Sequence, residues 1–443
     1  MSIVKVCLAS CLYLAMAAYV ISQLDYWLRK SLPRHRAIQA ASCSVFGLAA
    51  LLPFSIYLPA GNIGPIPVGA FRYRLVGWGN VWLGLFWCIG GFMVLFHVLR
   101  VAFSRRKGGE REPFSDMAPL ILLICFGATA AIFTAAYRTA MNLQVTHYEV
   151  RLADSDAGTK SDSGSGKVSD SGAASDSGSE TAATRAKMQE KRIVFLSDLH
   201  LGCNSDLDQT RRLVRMVNAQ HPDLILLGGD LFSDAYEALA QPQKYIEVLS
   251  QMHAHDGIYG VYGNHDVEET LFAGFSMMKK GHYYRDPRED RFLAEAGITM
   301  LEDSAVVTGG VEIIGRRDEM KPIGRRMDLP QLLEKAGDSA ARAQKGTASS
   351  AAQSGSEPQI LLAHEPENGD ALRGTGLDLV LSGHTHGGQI VPWNYAAQVR
   401  YRNVYGKKTL GGVQTIVSSG TGFHGPPMRL GTHAEICVVD VCC

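Results

Sequence analysis

Two histidines one residue apart, His384 and His386, lie in the run Gly383-His-Thr-His-Gly-Gly-Gln389. Their imidazoles can share one cation only if the backbone between them bends. Gly383, Gly387 and Gly388 permit that bend, because glycine tolerates positive φ and lets backbone approach an ion closely. An isolated His-x-His pair is equally well explained by ordinary loop hydrogen bonds. Here, however, it follows a short apolar run, Leu377 to Leu381, and the same arrangement occurs four more times. Arg192 to Leu196 leads into Asp198 and His200, and Asp223 to Leu227 into Gly229-Asp230. Ile258 to Tyr262 leads into Gly263-Asn264-His265-Asp266, and Gln359 to Ala363 into His364-Glu365-Pro366. Five strand ends carrying Asp, His and Asn converge if the strands share one α/β sheet, since such sheets gather ligands outside their carboxyl ends.

The elements that must position these residues alternate between the periods of strand and helix from Lys191 to Val441. Leu207, Thr210, Leu213, Val214 and Val217 share one helical face after Ser205, a plausible N-cap, and Tyr245, Val248 and Leu249 share another. Beyond Gly297, short strands are expected at Thr299 to Leu301, Ala305 to Thr308, Val311 to Ile314, Gln414 to Val417 and Ala434 to Val441. Gly309-Gly310 reads as a hairpin turn. The expectation is an α/β fold of two mixed sheets with helices outside.

The 443 residues leave room for more than one domain, and a formal net charge of zero supplies no global attraction to nucleic acid. Ile3 to Leu24, Ala37 to Ala60, Val76 to Leu99 and Met117 to Tyr137 are each long enough to span a hydrocarbon core of roughly 30 Å. They read as four transmembrane helices, with Lys5 the sole Lys or Arg inside these windows. Arg29, Lys30, Arg34 and Arg36 crowd the first loop, and Arg100, Arg105, Arg106, Lys107 and Arg111 the third. Arg72 and Arg74 alone mark the second. By the positive-inside rule, loops one and three face the cytoplasm and the C-terminal part lies outside it, attached to a cell membrane.

The nine cysteines leave the redox compartment open: Cys7, Cys11, Cys43, Cys88 and Cys125 fall within spans, where they act as small hydrophobes. Asp154 to Thr184 is Ser, Asp, Gly, Ala and Thr with almost nothing apolar, which reads as a disordered tether. The expected organisation is an anchor over residues 1–153, a linker over 154–190 and a catalytic domain over 191–443, interrupted by a low-complexity insertion at 338–357.

Asp198-x-His200, Gly229-Asp230, Gly263-Asn264-His265, His364 and Gly383-His384-x-His386, in this order, resemble the motif set of the calcineurin-like metallophosphoesterases. The resemblance covers about Arg192 to Val441. Pro222 to Leu231, His364-Glu-Pro366 and Gly383 to Ile390 are similar to a membrane-associated bacterial branch that acts on phospholipids or on UDP-2,3-diacylglucosamine. It implies a four-layer α/β/β/α domain holding two divalent metal ions. Asp230 would touch both, Asp198, His200 and His386 would complete one, and Asn264, His364 and His384 the other. His265 would serve the leaving oxygen as the catalytic acid, and Asp266 would orient it or cap a helix. Two ions about 3.5–4 Å apart hold both oxygens of an in-line phosphoryl displacement. Mixed imidazole, carboxylate and amide ligands suit manganese, iron or zinc, with manganese preferred here.

The expected activity is therefore hydrolysis of a phosphodiester or pyrophosphate of a lipid substrate at a membrane, with UDP-2,3-diacylglucosamine as the alternative and no nucleic acid as partner. A reading of a different class is a catalytically silent metal-binding sensor or scaffold. Two further stretches are candidates for substrate contact. Leu271, Phe272, Phe275, Met277 and Met278, followed by Lys279 and Lys280, suit a lipid-facing or sheet-packed helix. Arg316, Arg317, Arg325 and Arg326 suit a phosphate clamp or a solvated loop.

Overall fold

The structure, a computed structural model, describes residues 3–58, 68–106, 114–151, 190–203, 205–233, 235–268, 271–272, 275–276, 281–346 and 357–442. Four helical stretches are long and apolar enough to cross a membrane: Cys7–Ser31, Arg36–Ser55, Phe71–Ser104 and Ser115–Met141. They belong to helices α1 (Ile3–Ser31), α2 (Arg36–Ala49, prolonged by a 3-10 turn at Leu52–Tyr57), α3 (Val68–Arg106) and α4 (Ala118–Met141). Trp27, Met93 and Cys125 are each fully buried in one core shared by the helices, while Leu8, Leu48, Trp78 and Leu123 are exposed. Apolar surface inside and out is what a bilayer solvent allows.

The chain leaves the last span without a spacer. After Asn142, strand β1 (Leu143–Arg151) pairs in parallel, over nine residues, with the final strand of the chain, Ala434–Cys442. Residues 143–151, expected within the anchor, form an edge strand of the first six-stranded sheet. Leu143 and Val145 on one face pack on the core under the helices, and Tyr148 and Val150 on the other pack on the core between the sheets. The expected tether lies outside the described residues. By connectivity it links β1 to the next strand, both on the same sheet, and does not separate membrane from domain.

The first six-stranded sheet adds β2 (Glu190–Leu196), β3 (Leu224–Gly228), β4 (Ile258–Val261) and, at its far edge, β7 (Thr299–Met300). Between β4 and β7 lies a hairpin of β5 (Leu271–Phe272) and β6 (Phe275–Ser276), where a helix was one expectation. It lies beside the turn Leu52–Tyr57. Met277, Met278, Lys279 and Lys280 fall outside the described residues. The second six-stranded sheet contains β8 (Ser304–Thr308), β9 (Val311–Gly315), β10 (Gln359–Leu362), β11 (Leu379–Ser382), β12 (Gly406–Leu410) and β13 (Val413–Val417). The last strand, β14 (Ala434–Cys442), returns to the first sheet beside β2. As expected, Thr308 pairs with Val311 around Gly309-Gly310.

Three apolar layers make the four-layer α/β/β/α sandwich. Along β2, Ile193 and Phe195 face the second sheet while Val194 and Leu196 face helices, so both faces are buried and the strand reads as a continuous apolar run. Helix α5 (Leu207–Asn218) buries Thr210, Leu213, Val214 and Val217 on that outer face. Each such aliphatic side chain contributes about 1.5–3 kcal/mol. Its N-cap is Asp206, whose side chain accepts from Asp208 N, whereas Ser205 closes a turn with Gly202. Helices α6 (Pro242–Leu249) and α7 (Pro287–Glu295) complete this layer. Helices α8 (Leu329–Gly346) and α9 (Gly369–Leu372) cover the second sheet. The low-complexity stretch expected as an insertion from 338 continues α8 as far as Gly346, since its Ala, Arg, Gln and Lys are strong helix formers. The short helix α10 (Trp393–Arg400) follows the His384 turn.

Candidate metal centre

The five strand ends meet, but on two sheets: β2, β3 and β4 deliver Asp198, His200, Asp230, Asn264 and His265, while β10 and β11 deliver His364, His384 and His386. The stacked sheets present their carboxyl ends along one edge, where a single sheet was the first expectation.

Two groups form there. Asp198, His200 and His386 offer ligand atoms within 4.8 Å of one another, and so do Asp230, His364 and His384. His200 Nε2 lies 3.0 Å from His386 Nε2, and His364 Nε2 lies 3.2 Å from both His384 Nδ1 and the Asn264 amide oxygen. Asp230 Oδ2 is 3.2 Å from His364 Nε2 and 3.8 Å from His200 Nε2, so one carboxylate addresses both groups. Facing imidazole nitrogens at these distances share one proton at most, whereas a cation between them satisfies every lone pair. The donor set therefore fits two metal ions.

The backbone is shaped for the purpose. Asp198, His200, Asp230, His384 and His386 all have φ between 49° and 69°. Left-handed backbone costs a non-glycine residue roughly 1–2 kcal/mol, so the folded domain carries strain at the cluster. It is held by hydrogen bonds between loops: Asp198 N to Gly229 O, His200 N to Asp230 O, His384 N to Asp198 Oδ1 and His265 N to Asp230 Oδ1. His364 Nδ1 lies 2.8 Å from Gly228 O, which fixes the tautomer that frees Nε2. A Cβ on Gly263 would stand 2.3 Å from Asp230 Oδ1, so glycine is required there.

Burial dominates the electrostatics. It holds the His200 and His386 rings well below the ordinary imidazole value and His384 at about 4, keeping them neutral as ligands must be. Burial also depresses His364, but the carboxylates of Asp230 and Asp198 outweigh it and hold that ring well above. Burial lifts Asp198 to about 6, whereas His364 and His265 overcome burial to hold Asp230 well below the carboxylate range. The two carboxylates thus draw positive charge into a dry cluster, the electrostatic requirement of a cation site.

His265 sits at the mouth, its ring 5.5 Å from His200 and stacked at 4.3 Å on His424. His424 was not singled out from the sequence, although it too follows a strand end, β13. Gln389 grips its backbone, donating to His424 O and accepting from His424 N. Asp266 takes neither expected role: its oxygens accept from Phe232 N and Gly263 N, bracing the two loops that carry Asp230 and Asn264. Three of the four arginines are internal braces, and the side chain of Arg325 is exposed. Arg316 and Arg326 both pair with Glu367, and Arg317 pairs with Glu302 and donates to Arg325 O.

Residues 191–388 match the family model of the calcineurin-like phosphoesterases. The chain carries a calcineurin-like metallophosphoesterase domain. Over 250 residues it is 29% identical to an uncharacterized metallophosphoesterase of Helicobacter pylori, covering 56% of this chain and 59% of that protein. It is 31% identical over 253 residues to a transmembrane protein with metallophosphoesterase domain of Bos taurus, covering 56% and 52%. It is 28% identical over 257 residues to the uncharacterized metallophosphoesterase YkuE of Bacillus subtilis, covering 56% and 77%. The chain spans little more than half the length of the first two relatives. Among the described residues, four helices long and apolar enough to cross a membrane precede this domain.

Proposed function

We propose that the protein is a membrane-anchored two-metal phosphohydrolase that cleaves a phosphodiester or pyrophosphate of a lipid substrate. Asp198, His200 and His386 hold one cation, Asn264, His364 and His384 the other, and Asp230 both. Manganese is the first assignment, ahead of iron and zinc. When bound, two such ions neutralise phosphoryl charge and activate water. The chain's own residues supply the remainder: His265, stacked on His424, stands where it can give a proton to a leaving oxygen, and the closed ligand loops exclude bulk solvent.

The lipid assignment rests on one cavity of about 310 Å³. One wall is the last turn of α4, Tyr137, Ala140 and Met141, one helical face at i, i+3 and i+4. Opposite stand the ligand His200 with Leu199, Leu201 and Phe423, and the start of α5 adds a polar wall of Asp206, Asp208, Gln209 and Arg212. An amphiphile at the end of a membrane span would thereby have an apolar helix face for its chain and a polar wall for its headgroup beside the ligand loops. The basic loops of the anchor lie at the opposite ends of the helices from Met141, which supports an extracytoplasmic domain.

The test uses manganese-loaded full-length protein with a chromogenic phosphodiester, total membrane lipid and UDP-2,3-diacylglucosamine, with products followed by mass spectrometry. Turnover of the diester and of a membrane lipid is expected. Turnover of the sugar nucleotide with membrane lipid untouched overturns the substrate assignment. Two bound cations with no turnover of any phosphoester favours the sensor reading.

A further inference from the structure

Arg429 is among the largest fully buried side chains, at 1% exposure, and among the described residues no carboxylate lies within ion-pairing distance of it. Its guanidinium instead spends its donors on backbone carbonyls. Nη2 donates to Ser419 O at 2.6 Å, Gly422 O at 2.5 Å and Gly420 O at 3.1 Å, while Nη1 donates to His433 O at 2.9 Å and His386 O at 3.4 Å. Nη2 also stands 3.3 Å from His386 Nδ1. One planar fork thus clasps the His386 turn to the loop after β13, and Gly420 of that loop packs directly on the Asp198 side chain.

The clasp is itself held from the membrane side. Arg429 N donates to Ala136 O, inside the span Ser115–Met141. Met428, fully buried, packs with Ala136, Phe133, Cys88 and Ile390. Gly84 of α3 lets it in: a Cβ there would lie 3.0 Å from Met428 Sδ. Leu430 N donates to Gln389 O, and Val391 N to Leu430 O, so the same loop also fixes the chain that leaves the His386 turn.

We propose that Arg429 is a positioning residue for the Asp198, His200 and His386 group, and that spans α3 and α4, acting through Met428, set its position. The anchor is then part of the metal centre's framework, and the affinity of one cation site depends on how two membrane helices pack. This rests on the two-metal reading above. Partners that orient a ligand usually govern affinity by about 10–100-fold.

Full-length protein in lipid nanodiscs is titrated with manganese against a competing chelator, giving two affinities, and its melting temperature is recorded alongside. Met428→Ala is compared with Met93→Ala, the same truncation at a fully buried site in the helix bundle away from the loop. The expected result is a loss of at least tenfold at one cation site for Met428→Ala with the other site intact. Met93→Ala should lower the melting temperature with both affinities kept. Arg429→Gln should behave like Met428→Ala, and Arg429→Lys should recover part of the loss. Unchanged affinities in Met428→Ala, or both sites weakened equally in Met428→Ala and Met93→Ala, overturn the coupling. Wild-type protein that binds no cation overturns instead the two-metal reading beneath it.

Discussion

Glu289 occupies the first turn of α7, is 2% exposed, and has one carboxylate oxygen with no hydrogen-bond partner. Burial pushes its carboxyl from 4.5 up to about 9, the charges of Asp266 and Asp286 add to the push, and Arg285 opposes it only in part. A carboxyl whose folded value is raised favours the folded state while protonated. Its contribution is therefore complete below the unfolded value and is lost as pH climbs toward the folded one. At pH 7.5 the unfolded chain gains about 4 kcal/mol by ionising this group, and at pH 5 less than about 1 kcal/mol. Glu289→Gln keeps the shape and cannot ionise, so it should stabilise the protein by up to about 3–4 kcal/mol at pH 7.5 and by almost nothing at pH 5. For a domain of this size the difference corresponds to a rise on the order of 5–10 °C in melting temperature. Thermal melts of wild type and variant at both pH values measure it. A variant that melts below wild type at pH 7.5, or by the same margin at both values, would show that Glu289 is ionised and satisfied in place, and the reasoning would fail.

Two further outcomes bear on the metal centre. Asp230→Asn should lose most bound metal and activity together, because its carboxylate faces both groups, whereas His265→Ala should keep its metal and lose mainly kcat; elemental analysis beside kinetics separates them, and equal metal loss in both would refute the division. Gly263→Ala should cost more than about 2 kcal/mol and displace Asp230, since the added Cβ would stand 2.3 Å from Asp230 Oδ1 and 2.4 Å from Asp230 N; a variant with wild-type melting and metal content would contradict that geometry.

Legibility followed the range of the physics. Strands β2, β3, β10 and β11 were readable because an apolar run ending in Asp or His is a local pattern, and all seven candidate ligands come together at the ends of such strands. The four long apolar helices were readable from length and composition. Strand β1 was hidden because its partner is Ala434–Cys442, nearly three hundred residues away, and an edge strand with Gln144, Glu149 and Arg151 exposed resembles a membrane-flanking linker. Arg429 was hidden for a related reason. An arginine whose terminal nitrogens reach carbonyls of three separate segments, at His386, Ser419–Gly422 and His433, has no sequence signature, because its partners are backbone atoms that every residue possesses. The arginines at 316, 317, 325 and 326 were visible as charge, but the destination of Arg316, Arg317 and Arg326 was set by Glu302 and Glu367, which spacing does not reveal.

The pairing of β1 with β14 governs what happens when the chain is cut. Arg151 and Glu190 both stand on the same sheet, so a cut in the chain between them releases nothing. The two fragments stay joined by nine registered residue pairs, from Leu143 with Ala434 to Arg151 with Cys442, in the manner of a donated strand. Shedding the catalytic domain from its membrane requires a break before Leu143. A recombinant fragment begun at Lys191 would leave β14 as a bare edge of mostly apolar residues, open to a strand from a second copy, an edge that a fragment begun at Asn142 would keep covered.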